Sequence, residues 1–335
     1  MEDSVLLAHG GGGIQSHTLI ERIFKAHFSN PYFTPDDAAT LPIEAKNIAF
    51  STDGFIVSPY MFPKSNIGKL SICGTVNDIA CMGARPKWLS CAFVLEEGFP
   101  LKDLEEIARS MAETAREAGV HIVAGDTKVA SKGQVDHIFI TTTGIGEIIA
   151  KNPPRGSRAM DGDAIIVTGD IGRHGATILV ARNEFGIEAD LSSDCAPLGH
   201  LVESLYGAGL EPHVIRDATR GGVGTVLYEI ARQSEIGIRL RATDIPVDPR
   251  VSGICQMLGL DPLYLACEGR LCIFAPEKDA SAIVKTLRSQ PYGQGATIIG
   301  HVDSSLTKGS VVIETALGAP TLLPQPTGEL LPRIC

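Results

Sequence analysis

Three aspartates stand beside small hydroxyl or amide residues at the ends of apolar stretches: Asp53 in STDG, Asp78 in VND and Asp126 in GDT. One aspartate in such a place is usually a turn former or a helix cap. Three of them suggest a Mg2+–triphosphate site, because Mg2+ prefers a few carboxylates together with phosphate oxygens. Their neighbours Asn77 and Thr127 can orient phosphates or waters. Lys128 directly follows GDT. On a strand end a lysine is most often a solvated charge, but beside aspartates and phosphate it can neutralise a phosphoryl group or orient a carbonyl. Glu268, in ACEGRL, reads either as a turn residue favoured by Gly269 or as a general base.

The run HGGGG leads straight into a helical pattern. Amides of Gly10, Gly11, Gly12 and Gly13 at a helix N-terminus can cradle phosphate, and the plain alternative is a flexible leader. The sequence has no GxxxxGK[ST], so this is not a P-loop. RDATRGGV at 216–223 and GDIGRHG at 169–175 each suit a packed helix start or an anion, and His174 is as readily structural as catalytic. The chain closes on ELLPRIC. A thiol in such a place gains nothing from burial, so Cys335 is either incidental or there to be delivered somewhere.

The elements that must position these groups follow from periodicity. Ile20, Phe24 and Phe28 share a helical stripe, with Leu19 and Ile23 beside it. Ile72, Val76, Ile79, Ala80 and Gly83 share another; Leu104, Ile107, Ala108, Met111 and Ala115 a third, closed by Gly119. NIAFSTDGFIV, KWLSCAFVLEE, VHIVAGDTKV and DHIFITTTGIGEI read as strands. AKNPPRGSRAMDGD breaks the pattern, and strand, glycine loop and helix then begin again. Helices are expected over 222–233 and near 251–258 and 278–289, with strands at IGIRL, RLCIFA, ATIIGHV and SVVIET. The reading is an N-terminal domain over 1–152, a C-terminal α/β domain over 153–318, and a proline-rich extended tail over 319–335.

Composition narrows the class. Of 335 residues, 44% are hydrophobic and 20% charged, which supports ordinary globular cores. A net charge of −10 argues against a nucleic-acid surface. No signal peptide and no membrane-length apolar run is read, and eight cysteines without a CxxC pair argue against structural zinc. A reducing cytoplasm is the expected setting.

Taken together and in order, the glycine leader, STD, ND, GDTK, GDIGRHG, RDATRGG and PRIC resemble the hydrogenase-maturation carbamoyl dehydratases of the HypE family, over essentially the whole chain. The wider group is the aminoimidazole ribonucleotide synthetase-like ATP-binding superfamily. The resemblance implies a two-domain α/β fold of α+β type, with N-terminal sheets pairing into a barrel across a homodimer. It implies that ATP and Mg2+ are held by Gly10 to Gly13, Asp53, Asp78 and Asp126, and that substrate is handled by Lys128 and Glu268. It implies that Cys335 carries the modified thiol: the carbamoyltransferase HypF loads a carbamoyl group, ATP-dependent dehydration makes a thiocyanate, and a HypC–HypD complex accepts the cyanide. The four-glycine leader departs from the family's glycine–serine version, which a loop working through backbone amides tolerates. The competing readings are another ATP-dependent enzyme of the superfamily and a non-catalytic nucleotide-binding carrier. Selenophosphate synthesis would want a cysteine near the glycine loop, and the first cysteine is Cys73.

Overall fold

The computed structural model describes residues 4–10, 13–32 and 38–325; Gly11, Gly12 and Cys335 therefore lie outside the described residues. A helix over 13–28 (α1) opens the chain, and its middle, Ile20–Lys25, is wound as a π-helix. Leu19, Ile23, Phe24 and Phe28 are buried, whereas Ile20 is 41% exposed. The wider turn explains that departure from the expected stripe, since each i→i+5 bond rotates the following residues off a 3.6-residue period.

Strand β1 (Ile48–Phe55), helix α2 (Ile67–Cys81), strand β2 (Ala84–Glu96), helix α3 (Leu101–Ala118) and strands β3 (His121–Ala130) and β4 (Ile138–Ile148) complete the N-terminal domain. Asn66 caps α2, its side chain accepting the Lys69 N–H at 3.1 Å. Helix α3 ends at Gly119, which is left-handed at φ 70°. Among the described residues the strands form a four-stranded sheet in the order β1-β4-β2-β3, so β1 and β3 are its two edges. Helices α2 and α3 cover one face, with Leu70, Ile72, Val76, Leu104, Ile107 and Met111 packed with Phe93 and Ile140. Among the described residues the other face stays open at β1, with Phe50 65% and Ile48 43% exposed.

The C-terminal domain runs β5 (Asp163–Val167), α4 (Arg173–Arg182), α5 (Gly199–Gly207), β6 (Val214–Asp217), α6 (Gly222–Gln233), β7 (Ile238–Arg241), α7 (Pro249–Leu258), β8 (Leu271–Pro276), α8 (Glu277–Arg288), β9 (Thr297–Val302), β10 (Val311–Glu314) and β11 (Pro320–Leu322). Among the described residues its strands form a seven-stranded sheet in the order β11-β10-β7-β9-β5-β8-β6. β5 is buried on both faces, Ala164 and Ile166 packing with Leu201 and Ile283, Ile165 and Val167 with Val223 and Leu227. Such a strand reads as a continuous apolar run because neither face meets water. The segment expected as a free tail from 319 departs from that expectation at its start: β11 pairs antiparallel with β10 and Leu323 is 2% exposed. Among the described residues no helix is long and apolar enough to cross a membrane.

The domains are stitched together. The Arg85 guanidinium reaches Glu203 at 2.7 Å, Arg182 donates to the Ser58 carbonyl at 2.9 Å, and the Tyr292 hydroxyl donates to Glu117.

Candidate functional site

The helix α2 and strand β1 bring Asp53 and Asp78 to the line where the two domains meet. Asp78 accepts the Ser51 hydroxyl at 2.8 Å, which fixes its carboxylate toward β1. From the C-terminal side, Asp217 at the end of β6 and Glu268 just before β8 face the same place. Electrostatics tie the four together. Burial pushes the Asp78 carboxyl up, the Ser51 hydrogen bond opposes that, and Asp53 adds to it. Burial and the charges of Asp78 and Asp53 push Asp217 from 3.8 to about 7, against the pull of Arg216. Glu268 is 4% exposed, and burial, with Asp217, Asp194, Asp53 and Asp78 around it, holds its carboxyl well above the ordinary range. This is a cleft that favours a proton on Glu268 until positive charge arrives.

The backbone of Glu268 is set by Asp194, whose Oδ1 accepts the Glu268 N–H at 3.2 Å. Asp194 Oδ2 has no hydrogen-bond partner and lies 3.9 Å from Arg270. Arg270 is itself held by Asp170 at 2.6 Å, so the GDIGRHG loop braces the residue two positions after Glu268. His174 in that loop is fully buried, hydrogen-bonded through Nδ1 to Ser193 at 2.8 Å and edge-on to Phe62. Burial drops its pKa to about 3, so it stays neutral and serves packing.

Asp126, Thr127 and Lys128 stand elsewhere. Asp53 is in register with Thr142 on β4, Thr142 with Cys91 on β2, and Cys91 with Gly125 on β3. Three strand steps separate the edges, about 14 Å at ~4.8 Å per step. Asp126 is one residue further on, so its side chain points to the opposite, open face, as does Lys128. The two are joined by a 2.9 Å ion pair, and that hydrogen bond from Lys128 holds the Asp126 carboxyl below its usual range. The expectation that Asp53, Asp78 and Asp126 form one triad with Lys128 at its side is corrected for a single chain: strand order and pleat place STD and GDTK on opposite edges.

The glycine loop goes with the second group. His9, Gly10, Ser16, Phe24, Thr127 and Lys128 help line a cavity of about 290 Å3 at the β3 edge. Gly10 touches β3 so closely that a Cβ there would sit 2.5 Å from the Val129 nitrogen. Gly13 begins the helix, and Gly11 and Gly12 lie outside the described residues.

Asn77 has another task than the one expected. Its amide donates to the Ala196 carbonyl at 3.0 Å and accepts from the Leu198 N–H at 2.7 Å. Both ends are committed to the C-terminal domain, so Asn77 is a clip between domains rather than a phosphate ligand. Among the described residues no three His, Cys, Asp or Glu converge as a ready-made metal centre. Asp194 and Asp217 carry no catalytic or metal role in the sequence reading, although Asp217 lies within RDATRGGV, which suits a packed helix start or an anion. The seven described cysteines are all free and buried, and Cys335 lies outside the described residues.

Comparison with known proteins adds the following. Residues 35–148 match the family model described as AIR synthase related protein, N-terminal domain, and residues 160–312 match the corresponding C-terminal domain. Carbamoyl dehydratase HypE of Rhodobacter capsulatus is 44% identical over 338 residues, covering 100% of this chain and 99% of that protein. A crystal structure of hydrogenase maturation protein HypE in complex with ATP superposes with a TM-score of 0.94 at 48% identity, covering 98% of this chain and 99% of that one. A HypE chain from a HypE–HypF complex superposes at 0.81 with 43% identity, covering 92% and 99%.

Proposed function

The chain belongs to the HypE family of carbamoyl dehydratases, and on that premise we propose how its two half-sites serve one reaction. The protein is an ATP-dependent carbamoyl dehydratase of hydrogenase maturation. The carbamoyl group sits on the Cys335 sulfur, loaded by HypF. Its amide oxygen attacks the γ-phosphorus of ATP and ADP leaves. The phosphorylated oxygen then departs as phosphate while the nitrogen gives up two protons, leaving S–C≡N. Hydroxide would be a poor leaving group; phosphate is a good one, and the protein's part is positioning and charge neutralisation. A HypC–HypD complex then takes the cyanide, in the cytoplasm.

The observation that carries this reading is that Asp53, Asp78, Asp217 and Glu268 share one cleft, where burial and crowding push the carboxyls of Asp78, Asp217 and Glu268 toward protonation. Such crowding suits a cation, and Mg2+ needs only one or two protein carboxylates besides phosphate oxygens. Asp53 and Asp78 would hold Mg2+, which neutralises and orients the phosphates when bound. Glu268 accepts an amide proton once its own proton has left, and Lys128 stabilises the negative charge on the departing oxygen.

The half-sites meet in a homodimer. The open face of the four-stranded sheet carries Phe50 and Ile48, and β1 and β3 are its two edges among the described residues. Closing two such sheets into a barrel sets the β1 edge of one copy beside the β3 edge of the other. That joins the cleft of one subunit to Gly10, Asp126, Thr127 and Lys128 of a second copy. Mixing Asp78→Asn and Lys128→Ala chains tests it: each inactive alone, they should recover about a quarter of wild-type activity, because half of the randomly paired dimers hold one intact site. No recovery would place the whole site within one subunit. The chemistry itself is tested by the mass of the peptide ending in Cys335, which should gain a carbamoyl group with HypF and lose one water with ATP.

A further inference from the structure

Where β11 ends, three successive residues are each held by a separate partner. The Leu323 side chain is buried with Val311 and Val226 in the core of the C-terminal domain, and its N–H donates to the Val311 carbonyl at 2.8 Å. The Tyr228 hydroxyl donates to the Leu323 carbonyl, and the Tyr264 hydroxyl donates to the Pro324 carbonyl. Arg232 donates to the Gln325 side chain at 2.7 Å. Proline has no N–H, so the carbonyl is the one backbone hydrogen-bonding group Pro324 can offer, and it is used. Gly224 makes room for this arrangement: a Cβ there would meet the Tyr264 ring at 2.6 Å, so only glycine lets that ring lie against α6.

Both tyrosines belong to segments that carry the cleft. Helix α6 starts at Gly222, five residues after Asp217, and Tyr264 precedes Glu268 by four. Four residues span at most about 14 Å, while the ten residues 326–335 have a contour of at most about 35 Å.

We propose that Tyr228, Tyr264, Arg232 and the Leu323 side chain form a fixed anchor for the segment that carries Cys335, positioning residues that set how far the loaded thiol can roam from the cleft of its own subunit. The proposal rests on Cys335 being the carrier thiol. An anchored tether makes dehydration an intramolecular event whose effective concentration falls roughly as the −3/2 power of tether length. Without the anchor, β11 can peel back to the turn after β10, and the tether grows from ten residues to about twenty, which lowers that concentration about threefold.

The test uses the full chain with Tyr228→Phe, Tyr264→Phe and Leu323→Ala combined, after loading Cys335 by HypF. Conversion to thiocyanate in a single turnover, read from the mass of the last peptide, should be about threefold slower than in wild type. In a Cys335→Ala background, turnover of S-methyl thiocarbamate, which needs no tether, should be the same with and without the three substitutions. An unchanged single-turnover rate, or an equal loss with the small thiocarbamate, would overturn the anchor. If wild-type chain leaves carbamoylated Cys335 unconverted, the dehydratase mechanism fails instead, and hydrogen exchange then decides the anchor alone. In the Tyr228→Phe, Tyr264→Phe double variant, which keeps Leu323, the Leu323 amide should exchange about tenfold faster than in wild type, as local opening predicts, and unchanged exchange would overturn the anchor.

Discussion

At the scale of single residues, the cleft stores electrostatic strain. Asp217 carries the consequence most cleanly, because burial and Asp78 lift it from 3.8 to about 7. Below pH about 4 native and unfolded chains both hold this proton. Between about 4 and 7 only the native chain does, so its contribution to stability falls as pH rises through that window and is fully lost above it. Asp217→Asn should therefore raise the thermal midpoint by a few degrees at pH 8 and by almost nothing at pH 4, measured by calorimetry without nucleotide. An equal effect at both values would mean the charge is not the cause. Glu268 follows the same logic in the catalytic role proposed for it. Its raised carboxyl must be deprotonated to accept an amide proton, so the dehydration rate should climb with pH and flatten once Glu268 is ionised. Glu268→Gln should slow dehydration at least about a hundredfold, abolish that rise and leave ATP affinity within about twofold, as loss of a general base requires.

At the scale of elements, most of the architecture was legible, and the reasons for the exceptions are local. Helix α6 falls at 222–233 as expected, and α3 ends at Gly119, because amphipathic period and a left-handed glycine are strong signals. Helix α5 was missed: GHLVESLYG is short and holds a glycine at each end. β6 was missed because four residues give no period, and β11 because three prolines in its neighbourhood read as a tail. The site was legible as a set of residues but not as an arrangement. STD and GDTK are both strand motifs, and nothing local to either says that β1 and β3 are opposite edges. Asn77 shows the same limit, since a residue 119 positions away claims its amide. Asn77→Ala should cost about 1–3 kcal/mol in urea unfolding, by stranding buried backbone groups, while ATP affinity of the folded protein stays put. A drop in affinity without loss of stability would return Asn77 to the nucleotide site.

At the scale of the whole molecule, the proposed dimer makes function depend on surfaces that one chain leaves unfinished. Phe50 is 65% exposed on the open sheet face. Phe50→Asp should shift light scattering toward monomer and remove most dehydration, because each half-site loses its complement. Within the chain, by contrast, the domains hold fast: Asn77 to Ala196 and Leu198, Arg85 to Glu203, Tyr292 to Glu117, Arg182 to Ser58. Many phosphoryl-transfer enzymes shut a lid over the substrate to keep water from intercepting the phosphate. Among the described residues the two walls of the cleft are riveted to each other, so neither can swing as such a jaw. On the reading proposed above, in which Cys335 carries the substrate, shielding falls to whatever the substrate brings with it, so one segment would be both cargo and cork. A chain lacking residues 326–335 would then leak: its ATP hydrolysis to water should exceed that of the chain whose own segment is present but unloaded.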